Sequence, residues 1–484
     1  MASLQELVSR GQRIDAHRGA PRAAIDRATW ILAGRELQDG RLSLLGLWGE
    51  HGSVHMALLD PAAKEAAALS LDCPPGHFPS IGQFHPPAIR LERTVRDLYG
   101  MQPENAPDTR PWLDHTRPYE FLTAEGEHLH QIPVGPVHAG IIEPGHFRFT
   151  ANGETVVRLE ERLGYVHKGI EKLLAGASLE RAAQLAGRVS GDSTVAYAIA
   201  FARAVEAALG IAIPPRAAWL RALMAELERI ANHFGDIGAI CNDAAFAMML
   251  AHCGVLRERV LRAADAAFGH RLMRDVVVPG GVAKDIDAAG IAAIRDLLAV
   301  ARAKFPPLIK LYDNTASLQD RTVGTGILRV ELAEQFAAGG FVGRASGRGF
   351  DARRDLAYAP YDRLSFDVPL RTEGDVNARI WIRIREVEQS LELIAEILDR
   401  LPDDATRVAV PHGAGEGIAL VEGFRGDILV WLRLAADGTV DRCHLRDPSW
   451  FQWPLLEAAI EGNIVADFPL CNKSFNCSYS GHDL

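Results

Sequence analysis

The chain has 484 residues, of which 48% are hydrophobic and 24% are charged, and its formal net charge is −10. This composition is typical of a globular protein with a sizeable core, and the length allows two to four domains. The charge is spread along the chain without a basic block, which excludes a nucleic-acid groove or an anionic lipid surface as the expected partner.

Two further features concern the cellular setting. The N-terminus has no apolar signal core, and no stretch reaches the roughly 18 uninterrupted apolar residues of a membrane span, so we expect any membrane attachment to come from partner subunits. The six cysteines form no Cys-x-x-Cys pair, which favours a reducing, cytoplasmic environment.

The first hundred residues alternate apolar segments with turns. Residues 30–38, 41–50 and 52–60 are predicted to be strands and residues 91–101 a short helix, which indicates a small α/β domain over residues 1–102. The polar, proline-rich stretch 103–132 is predicted to be an extended linker.

Helical periodicity dominates residues 133–484. One predicted helix, in 216–238, places six apolar residues on a single stripe: Leu220, Leu223, Met224, Leu227, Ile230 and Phe234. Further helices are predicted at about 160–186, 193–210, 243–268, 284–303 and 376–400, and strands in 145–159 and in a hairpin at 426–447. The predicted fold class is therefore α+β, a small α/β domain followed by a large, mainly helical one.

Four ordered segments carry a family resemblance: GPVHAGIIEPGHFRF (135–149), RLGYVHKGIEKLL (162–174), MAELERIANHFGDIG (224–238) and RASGRGFDARRDLAYAPYDRLSFDVP with the later GDVNARI (344–380). Together they resemble the large catalytic subunit of group 4 (energy-converting) nickel-iron hydrogenases and the 49 kDa-type subunit of respiratory complex I. The N-terminal domain resembles the 30 kDa-type complex I subunit, which is fused to this partner in some bacteria.

In the hydrogenases of this family, two Cys-x-x-Cys pairs hold the metals. Here Ser190 and Ser193 stand at the early pair, and Ser478 and Gly481 stand at the late pair. Because soft thiolates are the ligands that retain such metals, the resemblance implies that the nickel-iron centre is absent. The chain also ends where the complex I subunit ends, without the C-terminal extension of hydrogenase large subunits, which favours the same expectation.

The resemblance to complex I implies a chamber in which a quinone headgroup accepts electrons from a nearby iron-sulfur cluster, with a histidine donating a proton or hydrogen bond. His138 matches the first histidine of the family and His146 is placed at the second. The quinone-contacting tyrosine aligns close to Gly191, so one polar anchor is missing. Each histidine is equally well interpreted as a hydrogen-bonded turn residue.

Three charged residues complete the candidate site. Arg425 matches an arginine that overhangs the metals in hydrogenases, and we expect it to line the same cavity. Arg188 and Asp192 are the charged residues of the degenerate early loop, and we expect them to neutralise each other in a residual polar pocket.

Other polar groups are expected to be structural. Glu226, Arg229 and His233 share one helical arc and form either a buried row for proton movement or, as we favour, an ordinary pair at a helix margin.

The arginine-rich loop 344–355 lacks the strand and helix of a phosphate-binding loop, so we expect Arg–Asp bonds that stiffen it against a partner. Glu143 is expected to be a solvated carboxylate; Tyr165, His167 and Lys168 are also expected to be structural.

These observations predict a subunit of a complex I-like or hydrogenase-related oxidoreductase, peripheral to the cytoplasmic side of the inner membrane. The expected partners are an iron-sulfur small subunit, a ferredoxin-like subunit, and integral membrane and antiporter-like subunits that move protons or ions. The chain itself is expected to bind no cofactor, because its cysteines are not spaced for a cluster, with quinone left open. Two alternatives remain: a quinone-reducing NADH dehydrogenase-type subunit that uses His138 with Asp192, and a non-catalytic scaffold. A hydrogenase with serine ligands is the least favoured.

Overall fold

The computed structural model describes residues 2–484. Its α-helices are α1 (Leu4–Ser9), α2 (Arg27–Gln38), α3 (Ile89–Tyr99), α4 (Ile170–Leu174), α5 (Leu179–Ala186), α6 (Thr194–Leu209), α7 (Pro215–Asp243), α8 (Ala247–Phe268), α9 (Ala288–Asn314), α10 (Ala316–Thr322), α11 (Val330–Gln335), α12 (Gly340–Ala345), α13 (Ala352–Asp355), α14 (Val376–Arg400), α15 (Ser449–Ile460), α16 (Phe468–Phe475) and α17 (Tyr479–Asp483).

The strands are β1 (Gln12–Arg13), β2 (His17–Arg18), β3 (Arg22–Ala24), β4 (Ser43–Glu50), β5 (Ser53–Asp60), β6 (Glu65–Asp72), β7 (His77–Pro79), β8 (Gln102–Glu104), β9 (Leu129–Val134), β10 (His146–Asn152), β11 (Thr155–Arg162), β12 (Val277–Val278), β13 (Gly281–Val282), β14 (Gly415–Glu422), β15 (Asp427–Leu434) and β16 (Val440–Arg446). The predicted α+β fold class is confirmed.

The N-terminal region is built on a five-stranded sheet in the order β1-β3-β6-β5-β4. Strands β4 and β5 and helix α3 lie where the sequence predicts them, but the predicted strand at 30–38 is wrong, because this segment is helix α2. The side chain of Asp26 caps that helix by accepting from the amide of Thr29 at 2.8 Å. Trp30, Ala33 and Leu37 then bury one face, a spacing of three and four residues that belongs to a helix.

The larger region centres on α7, which packs against α8 and α14. The six apolar residues of its predicted stripe are all fully buried. The helix predicted at 160–186 is wrong over its first part, because β11 pairs with β10 there and Gly164 and Gly169 then adopt positive φ values of 95° and 67° before α4 and α5. Glycine readily adopts this left-handed conformation, which breaks a helix.

A second sheet, in the order β16-β15-β14-β2, joins the two regions. Its edge strand β2 comes from the N-terminus and runs parallel to β14, with His17 opposite Glu416. Trp48 of β4 contacts Trp431 of β15, with ring centroids 5.6 Å apart. The N-terminal region is therefore packed directly onto the larger one.

Among residues 2–484, none of the helices combines the length and the apolar character needed to cross a membrane.

Candidate functional site

The C-terminal segment Ser474–Leu484 lies inside the protein. Three arginines hold its start: Arg379 Nε donates to Ser474 Oγ at 2.9 Å, Arg383 Nη2 donates to Ser474 O at 2.8 Å, and Arg425 Nε donates to Asn476 O at 2.5 Å. Charge-assisted hydrogen bonds of this kind fix the backbone firmly. The segment is therefore positioned as part of the core.

The last residues are held by the loop 164–169. The amides of Gly164 and Val166 donate to the carboxylate of Asp483, both at 2.9 Å, and those of Lys168 and Gly169 donate to Leu484 O at 2.8 and 3.0 Å. His167 also bonds to the carbonyl of Asp483 through Nδ1 at 2.7 Å. This loop therefore contributes to the site by anchoring the C-terminus.

The four positions at which the resemblance places metal ligands lie close together. Ser190 and Ser193 lie in the loop between α5 and α6, and both are almost completely buried. Ser190 Oγ lies 2.8 Å from Ser478 Oγ, although 288 residues separate them. Ser478 in turn caps α17 by accepting from the amide of Gly481 at 2.9 Å.

The hydroxyls at this place are already engaged in hydrogen bonds. Ser190 donates to Asp192 Oδ1 at 2.7 Å, and Ser193 Oγ accepts from Arg425 Nη1 at 3.2 Å. A hydroxyl has one O–H donor and two acceptor lone pairs, and these bonds engage the donor of Ser190 and one acceptor site of Ser193. The place is thus a hydrogen-bonded cluster of oxygen atoms.

Asp192 and Arg425 form the ion pair at the centre of this cluster, with Arg425 Nη2 2.5 Å from Asp192 Oδ2. Arg425 is only 2% exposed, so Asp192 supplies the countercharge that its burial requires. Burial alone would raise the pKa of Asp192, but Arg425 and the hydroxyl of Ser190 outweigh it and hold the pKa below its usual value. Arg425 therefore lies within the serine cluster, in contact with both Asp192 and Ser193.

The predicted pairing of Arg188 with Asp192 is wrong. Arg188 points to the surface, where it forms a two-pronged ion pair with Asp275 at 2.5 and 2.7 Å. It also donates to the carbonyl of Gln184 in the last turn of α5, which turns the side chain away from the serine cluster. Arg188 therefore stiffens the loop from outside.

His138 lies beside a tyrosine from the other end of the chain. His138 Nε2 is 3.5 Å from the hydroxyl of Tyr479, the residue that follows Ser478. Burial lowers the pKa of His138, which favours its neutral form. Sequence reasoning missed Tyr479, because nothing in its own neighbourhood points to residue 138.

His146 takes a different position, at the start of β10. Its Nδ1 donates to the carbonyl of Gly135 at 3.2 Å and its Nε2 accepts from Arg148 at 3.3 Å, an arrangement that holds a neutral ring. Both ring nitrogens are used, so the side chain acts as a structural brace.

Glu143 is exposed but is not free, because it accepts from the amide of Ser480 at 3.0 Å.

A buried network of charges fills the interior behind the cluster. Glu226, Arg229 and His233 belong to it, and none is more than 1% exposed, so the expectation that they lie at a helix margin is wrong. His233 Nε2 and Arg229 lie 2.7 and 3.8 Å from the carboxylate of Glu386. The helical spacing of the three residues is as predicted. Their burial could not be predicted from this helix alone, because α14 and the 344–355 loop cover them.

The arginine-rich loop turns inward to this network. Arg353 pairs with Glu226 at 2.9 Å and with Asp351 at 2.7 Å, and Arg344 pairs with Glu386 at 2.7 Å. The predicted Arg–Asp bonds are confirmed, but they stiffen the core, because Arg344 and Asp351 are both completely buried.

Two carboxyl groups near the site are held in conditions that favour protonation. Burial raises the pKa of Glu228 to about 8, although the amides of Val195 and Ala196 donate to it at 2.7 and 3.1 Å. Burial, together with the neighbouring carboxylate of Asp351, also raises the pKa of Glu422, although Arg344 pairs with it at 3.0 Å and opposes the shift. Glu228 can therefore exchange a proton near neutral pH.

Two family models match the chain. Residues 242–412 match the family model of the 49 Kd subunit of respiratory-chain NADH dehydrogenase, and residues 168–235 match that of nickel-dependent hydrogenase. Formate hydrogenlyase subunit 5 of Escherichia coli (strain K12) is 31% identical over 447 residues, covering 86% of this chain and 78% of that protein. The chain belongs to the family of nickel-iron hydrogenase large subunits and complex I 49 kDa subunits.

Members of both branches of the family are similar to the chain. The carbon monoxide-induced hydrogenase of Rhodospirillum rubrum is 32% identical, covering 71% of this chain and 96% of that protein. A subunit of the NADH-quinone oxidoreductase of Syntrophobacter fumaroxidans is 31% identical, covering 72% of this chain and 95% of that protein. A chain of the membrane-bound sulfane sulfur reductase, an archaeal respiratory membrane complex, has the same fold, with a TM-score of 0.70. The two chains are 24% identical, and the match covers 75% of this chain and 100% of that chain.

Proposed function

We propose that the chain is a peripheral subunit of a complex I-like or hydrogenase-related oxidoreductase and that it holds no nickel-iron centre of its own. The observation that carries this proposal is the meeting of Ser190, Ser193, Ser478 and Gly481 at one buried place that offers three hydroxyls and no thiolate. Hydroxyl oxygens are hard, weak ligands, whereas the metals of this family are retained by soft sulfur.

The surroundings of the four positions do not fit a bimetallic centre either. The carboxylate of Asp447 fills the space beside Gly481, since a Cβ added there would lie 2.7 Å from Asp447 Cγ. The serine cluster is therefore proposed to be a structural replacement for the metal site.

The role that we propose for the chain is to couple electron transfer in a partner to proton or ion movement. Burial raises the pKa of Glu228 to about 8, and the buried network beside it contains Arg229, which pairs with Glu226 and Glu386 and donates to the carbonyl of Glu422 at 3.2 Å. An electron that reaches a cluster nearby raises the proton affinity of such groups by electrostatic attraction. The electron and the iron-sulfur cluster belong to a small partner subunit in this proposal.

The partners that we propose are that small subunit, a ferredoxin-like subunit and membrane and antiporter-like subunits, with the assembly on the cytoplasmic side of the inner membrane. Apolar side chains beside His138 support a protein contact, because Val137 is 76% exposed and Ile141 is 93% exposed. The N-terminal region is proposed to act as the 30 kDa-type domain of the same assembly.

The assembly is tested by isolating the complex from native membranes through a tag on this chain. We expect an iron-sulfur protein and membrane subunits to copurify, and the double variant Val137→Asp/Ile141→Asp to release the iron-sulfur protein. Val255→Asp, at a 58% exposed position on α8, is the matched control and should retain it. Isolation of the chain without any iron-sulfur or membrane protein would refute the proposal.

A second candidate function, quinone reduction, is favoured by the contact between His138 and Tyr479. The phenol of Tyr479 supplies a polar group beside the histidine, in place of the tyrosine that is missing near Gly191. If quinone binds there, His138→Ala and Tyr479→Phe should each lower quinone reduction by the complex at least tenfold while the cluster stays reducible. Unchanged turnover in both, and in substitutions at 146, 188 and 192, would instead indicate a scaffold.

A further inference from the structure

A large cavity lies where the N-terminal region packs on the helical region, away from the serine cluster. Its volume is about 1180 Å³, above the roughly 300–1,000 Å³ of ordinary small-molecule pockets. Helix α1 and strand β6 form one wall, and α6, β14 and the loop after α13 form the others. The space is large enough for a long, flexible molecule.

The walls of this cavity are mostly apolar. Leu4, Val8, Ile211, Trp219 and Ile418 line it, together with small alanines of β6 and α6. Its rim is exposed and carries the side chains of Gln5, Lys64 and Arg363, so the cavity is accessible from solvent. Apolar walls with a polar mouth suit a ligand that has a hydrocarbon body and a polar end.

One cation inside the cavity lacks a partner. The Nε of Arg203 is buried and has no hydrogen-bond partner among residues 2–484, and its guanidinium lies 4.4 Å from the ring centroid of Tyr358. Burial lowers the pKa of Arg203, which reflects the cost of holding a charge there. An anion that entered the cavity would relieve this cost.

Glu206, on the same helix α6, does not serve as the countercharge of Arg203, because it pairs with Arg221. The carboxylate of Glu206 also lines the cavity, but Arg221 binds it at 2.5 and 3.0 Å and the amide of Gly280 donates to it at 2.9 Å. These bonds satisfy Glu206 and leave the guanidinium of Arg203 with only the face of Tyr358. A guanidinium presents donors in a fork that matches a carboxylate.

We propose that this cavity binds a long-chain carboxylic acid, with the carboxylate on Arg203 and the hydrocarbon tail along the apolar walls. This site is independent of the proposed electron and proton coupling. A monoanion is the matching charge, because Arg203 is the partly buried cation of the wall without an ion pair among residues 2–484. The other cations of the lining, Arg13, Lys64 and Arg363, are exposed to solvent at the rim, and Lys64 is paired with Asp355 at 3.2 Å.

The proposal is tested by isothermal titration of the purified, delipidated full-length chain with palmitate below its micellar concentration. We expect palmitate to bind at one site per chain and methyl palmitate, which lacks the charge, to bind at least tenfold more weakly. Myristate and laurate have shorter tails, and we expect their affinity to fall by about fourfold for each methylene removed. These comparisons need no variant, so they do not depend on the folding of a mutant.

Variants then locate the site. Arg203→Met should weaken palmitate binding at least tenfold and Arg203→Lys should preserve most of it. Ala207→Phe, one turn along α6 from Arg203, should also weaken binding, because it places a ring in the cavity beside the guanidinium. Arg262→Met, at an exposed arginine of α8, is the matched control and should bind palmitate normally. Equal binding of the methyl ester, normal binding by both Arg203→Met and Ala207→Phe, or displacement of palmitate by inorganic phosphate would overturn the proposal.

Discussion

The carboxylate of Asp447 occupies the space that a side chain at Gly481 would need. Asp447 is completely buried and is fixed there, because its Oδ2 accepts from the hydroxyl of Tyr197 at 2.7 Å and its Oδ1 from the amide of Ser449 at 2.9 Å. Glycine at 481 and aspartate at 447 are thus matched to each other. The packing around Gly481 is therefore specific.

The first prediction follows from this packing. Gly481→Ala should lower the free energy of unfolding by about 1–3 kcal/mol, because the added methyl group would overlap the fixed carboxylate of Asp447. Gly254→Ala in α8, where nothing lies within 4 Å, is the control and should be neutral or stabilising by up to about 1 kcal/mol. Denaturant titration measures both, and equal effects of the two substitutions would contradict the overlap.

The second prediction compares two ion pairs. Asp192→Asn should cost about 1–3 kcal/mol of stability, because it removes the carboxylate that pairs directly with the buried Arg425. The partial exposure of Asp192 and the nearby carboxylates of Asp447 and Asp236 keep the loss within this range. Asp275→Asn breaks the surface pair with Arg188 and should cost less than about 1 kcal/mol. Thermal and denaturant unfolding would contradict the assignment if the order were reversed.

The third prediction concerns pH. The pKa of Glu228 is raised to about 8 in the folded protein, above the value of an ordinary glutamate in the unfolded chain. Between these two pKa values the folded state keeps a proton that the unfolded state has released. The free energy of unfolding therefore falls as pH rises through this window. Glu228→Gln should remove that loss. The stability of the variant relative to the wild type should therefore rise between about pH 5 and pH 8, by up to roughly 1.4 kcal/mol per pH unit.

Denaturant unfolding at several pH values measures this difference. Glu258→Gln, at an exposed carboxylate of α8, is the control and should not show such a rise. A constant difference between Glu228→Gln and the wild type across the window would mean that Glu228 is ionised throughout.

Much of the fold is accessible from sequence because local periodicity decides it. Helix α14 lies at 376–400, where its regular apolar stripe predicts it, and Asp375 caps it by accepting from the amide of Ala378 at 2.7 Å. Helix α2 is harder to predict because its short apolar run fits a strand equally well, and only the capping Asp26 signals a helix.

The candidate site is less accessible, because distant residues build it. The four ligand positions follow from the resemblance, but the partners of their neighbours do not: Arg425 and not Arg188 reaches Asp192, and Tyr479 reaches His138. Such pairings are set by how the C-terminus is inserted into the core, which no local pattern encodes.

The metal content of the purified native complex distinguishes the proposed serine cluster at residues 190, 193, 478 and 481 from a bimetallic centre. Nickel is the informative metal, because partner clusters contribute iron. Inductively coupled plasma mass spectrometry should find nickel far below one atom per chain, in cells supplied with nickel. One nickel atom per chain, lost on Ser190→Ala or Ser478→Ala, would contradict the account.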